Sequence, residues 1–143
     1  IQSLFVLPNN DTGFYHIVKN IKKYNLNWTK TLNLSEYKSL LKKSAILIGN
    51  SSSGIHEAAS YKIPVVNIGT RQNGRLRPKN VVNAKCNKDD IYKKINYCIK
   101  NQNFRRNLNK VKNPYGDGKS AKKIISILKK INLKESTQKL NTY

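Results

Sequence analysis

Methionine is absent from all 143 residues, and acidic side chains are scarce: 7 Asp plus Glu stand against 28 Lys plus Arg, for a formal charge of +21. Without a methionine the first residue is no translation start, so the chain is expected to be a piece of a longer gene product. Cysteine occurs only at Cys86 and Cys98, too few for a disulfide framework and too far apart for a zinc knuckle, which fits a reduced, cytoplasmic protein. No apolar run approaches the roughly 20 residues of a bilayer span, and the opening Ile-Gln-Ser is no signal peptide, so neither membrane insertion nor secretion is expected. GxxxxGK and GxGxxG are both missing, which excludes the triphosphatase loop and the dinucleotide fingerprint. There is no acid and base carboxylate pair in a candidate site, no convincing Ser-His-Asp order and no His/Cys cluster. No catalytic residue, metal site or cofactor is therefore assigned within the chain.

What is abundant is lysine. A basic excess of this size would normally suggest an anionic partner, nucleic acid first. Yet the basic residues are 23 Lys to 5 Arg, scattered among 20 Asn, which is what A/T-rich codons supply. A dedicated nucleic-acid surface clusters its charge and favours Arg forks or stacking aromatics, and neither pattern is present. A basic nucleic-acid-binding module is therefore the second reading, and solvated lysine-rich faces the first.

The length suits one domain, since about 100 to 200 residues per domain is usual, and such a chain can bury a core without staples. Its apolar pattern alternates between two periods. Short runs at Ser3–Leu7, Trp28–Leu32, Ala45–Gly49 and Pro64–Ile68 read as strands. Between and after them, residues from Phe14 to Ile21, Leu34 to Leu41 (with Ser35 as N-cap), a short stretch from Gly54 to about Tyr61, Asp89 to Asn101 and Ala121 to Leu128 read as helices. Ala45–Gly49 is continuously apolar, as for a strand buried on both faces. Residues after about Leu133 form a polar tail. Strands alternating with helices imply an α/β, Rossmann-like parallel sheet covered by helices on both faces, with ligands beyond the carboxyl ends of its strands.

The informative loop is Asn50-Ser-Ser-Ser-Gly54, between a buried strand and a helix start. Small hydroxyls and unpaired amides converge there, as a phosphate or diphosphate requires, although the same residues could merely cap the helix. Glu57, within the first turn, either favours the helix dipole or accepts hydrogen bonds from ribose hydroxyls. Arg71 and Arg75, in Gly69-Thr-Arg-Gln-Asn-Gly-Arg75, either reach the same anion or keep a loop soluble. His16 and His56 are expected to face solvent.

Gly49-Asn-Ser-Ser-Ser-Gly-Ile-His-Glu-Ala58 and Ile63-Pro-Val-Val-Asn-Ile-Gly-Thr-Arg-Gln-Asn-Gly-Arg75 resemble the hydrolysing UDP-N-acetylglucosamine 2-epimerases. Pro8-Asn-Asn-Asp-Thr-Gly13 and Asn113-Pro-Tyr-Gly-Asp-Gly118 fall where that family has its Asn-x-Asp-x-Gly loop and Tyr-Gly-Asp-Gly turn. The resemblance, from about Leu4 to Leu128, implies the C-terminal half of a GT-B-like two-domain fold. Residues 1–132 would be the UDP-binding domain, lacking its first strand, and 133–143 a tail. It implies that Ser51 and Ser52 bind the diphosphate, Glu57 the ribose, Arg71 the nucleotide phosphates, Asn9 the UDP-sugar, and the backbone around Leu32 the uracil. The acid and base residues would lie outside this chain. The implied reaction removes the C2 proton, expels UDP to a glycal-like intermediate and adds water. It would give UDP and N-acetylmannosamine for sialic-acid-like sugar synthesis by a homodimeric enzyme. A UDP-diacetamido-trideoxyhexose is the alternative substrate, and a sugar-nucleotide sensor or another GT-B transferase the alternative protein.

Overall fold

A computed structural model describes residues 2–8 and 12–131. Its elements run β1 (Phe5–Val6), α1 (Phe14–Lys23), β2 (Trp28–Thr29), α2 (Leu34–Lys43), β3 (Leu47–Gly49) and α3 (Ser53–His56). A 3-10 turn (Ala58–Tyr61) follows, then β4 (Val65–Ile68), β5 (Val81–Ala84), α4 (Lys88–Lys100), α5 (Gln102–Leu108) and α6 (Ser120–Leu128).

Every strand pairing among the described residues is parallel, but the strands form two sheets: β1 with β2, and β3-β4-β5 in that order. The single continuous sheet read from the sequence is thus divided. Among the described residues β3 pairs only with β4, and the expectation of a strand buried on both faces fails: Ile48 is 43% exposed and the rest of β3 only half-buried.

β4 is the centre of the larger sheet. Successive residues of a strand point to opposite faces, and both Val65 and Val66 are buried. Val66 packs with Ala84 of β5 and Cys98 of α4, and Ile91, Ile95 and Phe104 close around them. Val65 faces α3, where a Cβ built on Gly54 would lie 2.8 Å from Val65 Cγ1. Only a glycine lets α3 sit this close to the sheet, and that contact sets the position of the loop preceding it. Helices therefore cover both faces of this sheet, as an α/β fold requires.

Capping follows side-chain chemistry. Asn33, and not the expected Ser35, caps α2: its Oδ1 accepts from Glu36 N at 2.9 Å, and Glu36 Oε2 accepts from Asn33 N at 2.9 Å. Asn87 and Asn101 likewise accept the Asp90 and Phe104 amides at the starts of α4 and α5. The helix expected to reach Tyr61 is only four residues of α3 followed by the 3-10 turn, and Lys62 ends it in the left-handed region. The residues of α6 are all exposed, Ile124, Ile125, Ile127 and Leu128 among them. The polar tail and Asn9 lie outside the described residues.

Candidate functional site

β3 ends at Gly49 with φ +144°, a backbone conformation that L side chains rarely adopt, and the chain turns sharply into Asn50–Ser53. Ser51 and Ser52 are exposed and Ser53 is buried. Two of the three hydroxyls therefore face outward. The Ser51 carbonyl accepts from Gly54 N at 3.2 Å, and its hydroxyl accepts from Ser53 N at 3.3 Å. The backbone N–H groups of Ser51 and Ser52 find no protein acceptor among the described residues, and the Ser52 hydroxyl makes no capping bond. The elbow thus keeps two adjacent amides and one unengaged hydroxyl on its outer surface. That is a donor set for an anion, though a four-residue α3 lends little macrodipole to it.

Ser53 works inward. Tyr37 of α2 donates to Ser53 Oγ at 2.5 Å, and Ser53 Oγ donates to Glu57 Oε2 at 2.5 Å. Glu57 is not in the middle of a first turn but at the C-cap of α3, and its exposed carboxylate reaches back to a side chain instead of a backbone amide. The relay holds one carboxylate oxygen, and no protein donor reaches the other among the described residues. Sequence reading counted Ser53 among the anion-facing hydroxyls and missed Tyr37, because their pairing spans 16 residues and depends on α2 meeting the elbow.

The Gly69–Lys79 loop approaches from the carboxyl end of β4. Arg71 Nη1 donates to the Asn50 carbonyl at 3.3 Å, and Gln72 Nε2 donates to the same oxygen at 2.7 Å. Arg75 is engaged elsewhere, its Nη1 lying 2.9 Å from His56 Nε2. His56 is consequently half-buried and not simply solvent-facing: its ring lies 4.1 Å from that of Tyr115, and its carbonyl accepts from Asn113 Nδ2 at 2.7 Å. The Asn113–Gly118 turn is fastened to the loop as well, since Tyr115 Oη donates to the Leu76 carbonyl at 3.1 Å. His16 is exposed, as expected.

Of the six residues named from sequence, Ser51, Ser52, Glu57 and Arg71 gather around the elbow. Leu32 is half-buried just before α2, and the Thr31 and Leu32 backbone makes no protein hydrogen bond among the described residues. Asn9 lies outside those residues. Among them, no group of three or more His, Cys, Asp or Glu residues is placed to hold a metal, and no helix is long and apolar enough to cross a membrane.

The profile of the UDP-N-acetylglucosamine 2-epimerase family matches residues 1–129. The chain belongs to that family. It is 37% identical over 152 aligned residues to the UDP-N,N'-diacetylbacillosamine 2-epimerase (hydrolyzing) of Legionella pneumophila, covering 100% of this chain and 38% of the relative. It is 34% identical over 116 residues to the polysialic acid biosynthesis protein P7 of Escherichia coli, covering 78% of this chain and 29% of that one. The chain therefore spans less than two fifths of the length of these epimerase-family relatives. Among solved structures, the UDP-GlcNAc 2-epimerase of Neisseria meningitidis bound to UDP-GlcNAc superposes with a TM-score of 0.67 at 20% identity. That match covers 89% of this chain and 36% of the epimerase. The α/β fold is that of the GT-B-type epimerases.

Proposed function

We propose that residues 1–132 are the nucleotide-holding domain of a UDP-sugar 2-epimerase, in which Ser51 and Ser52 bind the diphosphate of UDP. The observation that carries this reading is the elbow after β3, where the Ser51 and Ser52 amides find no protein acceptor among the described residues and the exposed Ser52 makes no capping bond, with Arg71 alongside. Glu57, one oxygen held by Ser53, accepts from the ribose hydroxyls with the other. The backbone at Leu32, without a hydrogen-bond partner among the described residues, reads the uracil edge. Asn9 contacts the sugar nucleotide.

In this reading the domain acts on the leaving group. Loss of the C2 proton and departure of UDP build negative charge on the diphosphate, and amides already aimed at that point stabilise it without reorganising. The acid and base that handle the C2 proton lie outside these residues, so the domain alone holds UDP but does not turn over. The split between β1-β2 and β3-β4-β5 supports the accompanying domain assignment. A doubly wound sheet ordered 3-2-1-4-5-6 leaves those two groups of strands when its first strand is withheld.

The product assigned to UDP-N-acetylglucosamine is N-acetylmannosamine, formed with UDP by hydrolysis and used for sialic-acid-like sugars. The name of the E. coli relative is in keeping with that use. The second reading is a UDP-diacetamido-trideoxyhexose substrate, and the alignment of the whole chain with the Legionella UDP-N,N'-diacetylbacillosamine 2-epimerase favours it. Calorimetric titration with UDP tests the site itself. Ser52→Ala and Glu57→Ala are each expected to weaken binding about tenfold, the size of one lost hydrogen bond to a charged group. Equal affinity in all three proteins would reject the assignment. Incubating the full-length protein with each UDP-sugar in turn then separates the two substrates.

A further inference from the structure

Gln72 is 2% exposed, buried more completely than any arginine of its loop, and yet it belongs to a segment without regular secondary structure. A buried amide in a loop needs a reason, because each unpaired polar atom there forfeits its hydration without a replacement bond. Its Nε2 donates to the Asn50 carbonyl at 2.7 Å, while its Oε1 is buried without a partner among the described residues. The side chain thus bears an unmet acceptor to keep one particular donor bond.

The consequence lies in the peptide group that Gln72 holds. The Asn50–Ser51 peptide bond is trans, so the Asn50 carbonyl and the Ser51 N–H point in opposite directions across one rigid plane. Pinning that carbonyl inward aims the Ser51 N–H outward. The following peptide is set by a different bond, the Ser51 carbonyl accepting from Gly54 N at 3.2 Å, which directs the Ser52 N–H outward in turn. The second orientation is built into α3, but the first depends on a side chain from across the site. Arg71 also touches the Asn50 oxygen, at 3.3 Å, from an exposed position where water competes. The buried, shorter bond is the stronger hold.

We propose that Gln72 is a positioning residue for the diphosphate: by fixing the Asn50–Ser51 peptide plane it keeps the Ser51 amide aimed at the anion. This rests on the reading of the elbow as the diphosphate site, and adds to it a residue that never touches the ligand. The bond also ties the orientation of the elbow to the conformation of the Gly69–Lys79 loop, whose Gln72 carbonyl in turn accepts from Arg77 Nη2 at 3.3 Å.

The test compares UDP with uridine, which shares base and ribose but lacks the diphosphate. Gln72→Met keeps length and volume while removing the donor, and Gln72→Glu keeps the shape while setting an acceptor against the Asn50 carbonyl. Both variants are expected to bind UDP about tenfold more weakly, with uridine affinity held within about twofold. Equal losses for both ligands would mean that Gln72 only supports the fold, and no loss of UDP affinity would mean that the peptide needs no clamp. Either result overturns the proposal. Should both variants fail to fold, the Gln72 side-chain amide resonances of the unaltered protein decide: they shift with UDP and not with uridine, and no shift with either overturns the proposal. If the unaltered protein binds UDP no more tightly than uridine, the elbow is not a diphosphate site, and the proposed function falls together with this inference.

Discussion

Single residues set both the position of the elbow and the chemistry it offers. Gly54 is the plainest case. A Cβ at this position would lie 2.8 Å from Val65 Cγ1, so Gly54→Ala must push α3 off the sheet or displace a buried valine. Overpacking of this kind costs roughly 1–3 kcal/mol, to be read as a lower urea midpoint at unchanged slope. Cys98 makes a separate statement about pH. Burial in the core beside Val66 and Ala84 pushes its thiol from 9.0 up to about 11, against the smaller opposing effect of the Arg105 and Lys94 charges. Between those values the folded protein keeps a proton that the unfolded chain gives up, so the stability contributed by this group falls as pH rises from about 9 to about 11. Denaturant midpoints of the parent and of Cys98→Ala, measured at pH 8 and 10.5, should show the parent losing more stability than the variant; parallel declines would contradict the assignment. Cys86 is exposed, so alkylation of the native protein should label it and spare Cys98.

Elements were legible in proportion to how local their causes are. The stripe from Phe14 to Ile21 and the spacing of Ile91, Ile95 and Cys98 located α1 and α4 because helical periodicity is written in neighbouring residues. The caps were read less well. Ser35 and Asn33 are both capable capping residues, and the choice fell to Asn33 because only it stands three residues before Glu36 with both reciprocal bonds formed. Asn33→Ala should therefore cost about 1 kcal/mol and Ser35→Ala little, a difference that thermal melts can resolve. The helix through Glu57 was overread because hydroxyl-rich capping residues and small apolar residues fit both a continuous helix and the α3 and 3-10 pair. Within this stretch the Ser53 hydroxyl is held by Tyr37 of α2, and the 3-10 turn closes at Lys62. At the site, Ser51, Ser52, Glu57 and Arg71 could be named from one segment and its neighbour. The roles of Gln72, Tyr37 and Ser53 could not, since they exist only once α2 and the Gly69–Lys79 loop meet the elbow.

Across the whole molecule, the proposed domain assignment gives the two sheets and the uncovered apolar residues one common account. Phe5 and Val6 of β1, Ile48 of β3 and the isoleucines of α6 are exposed, while the chain covers 38% of its Legionella relative. On the proposed domain assignment, a longer protein carrying one more strand joins β1 to β3. Amide exchange at Phe5–Val6 and Leu47–Gly49 should then slow by at least tenfold relative to the 143-residue chain, whereas unchanged exchange would place the extra strand elsewhere. The +21 charge offers the competing account, and salt separates the two. Attraction to duplex or RNA through scattered lysines weakens steeply as salt rises. Binding of UDP by fixed amides and a carboxylate should change far less.

The most direct measurement follows the backbone amides of Ser51 and Ser52 by NMR as UDP is added, with uridine as the control. Both resonances should move with UDP to a common saturation point and stay nearly fixed with uridine. Saturable binding of UDP that leaves these two amides unmoved would contradict the account at its centre.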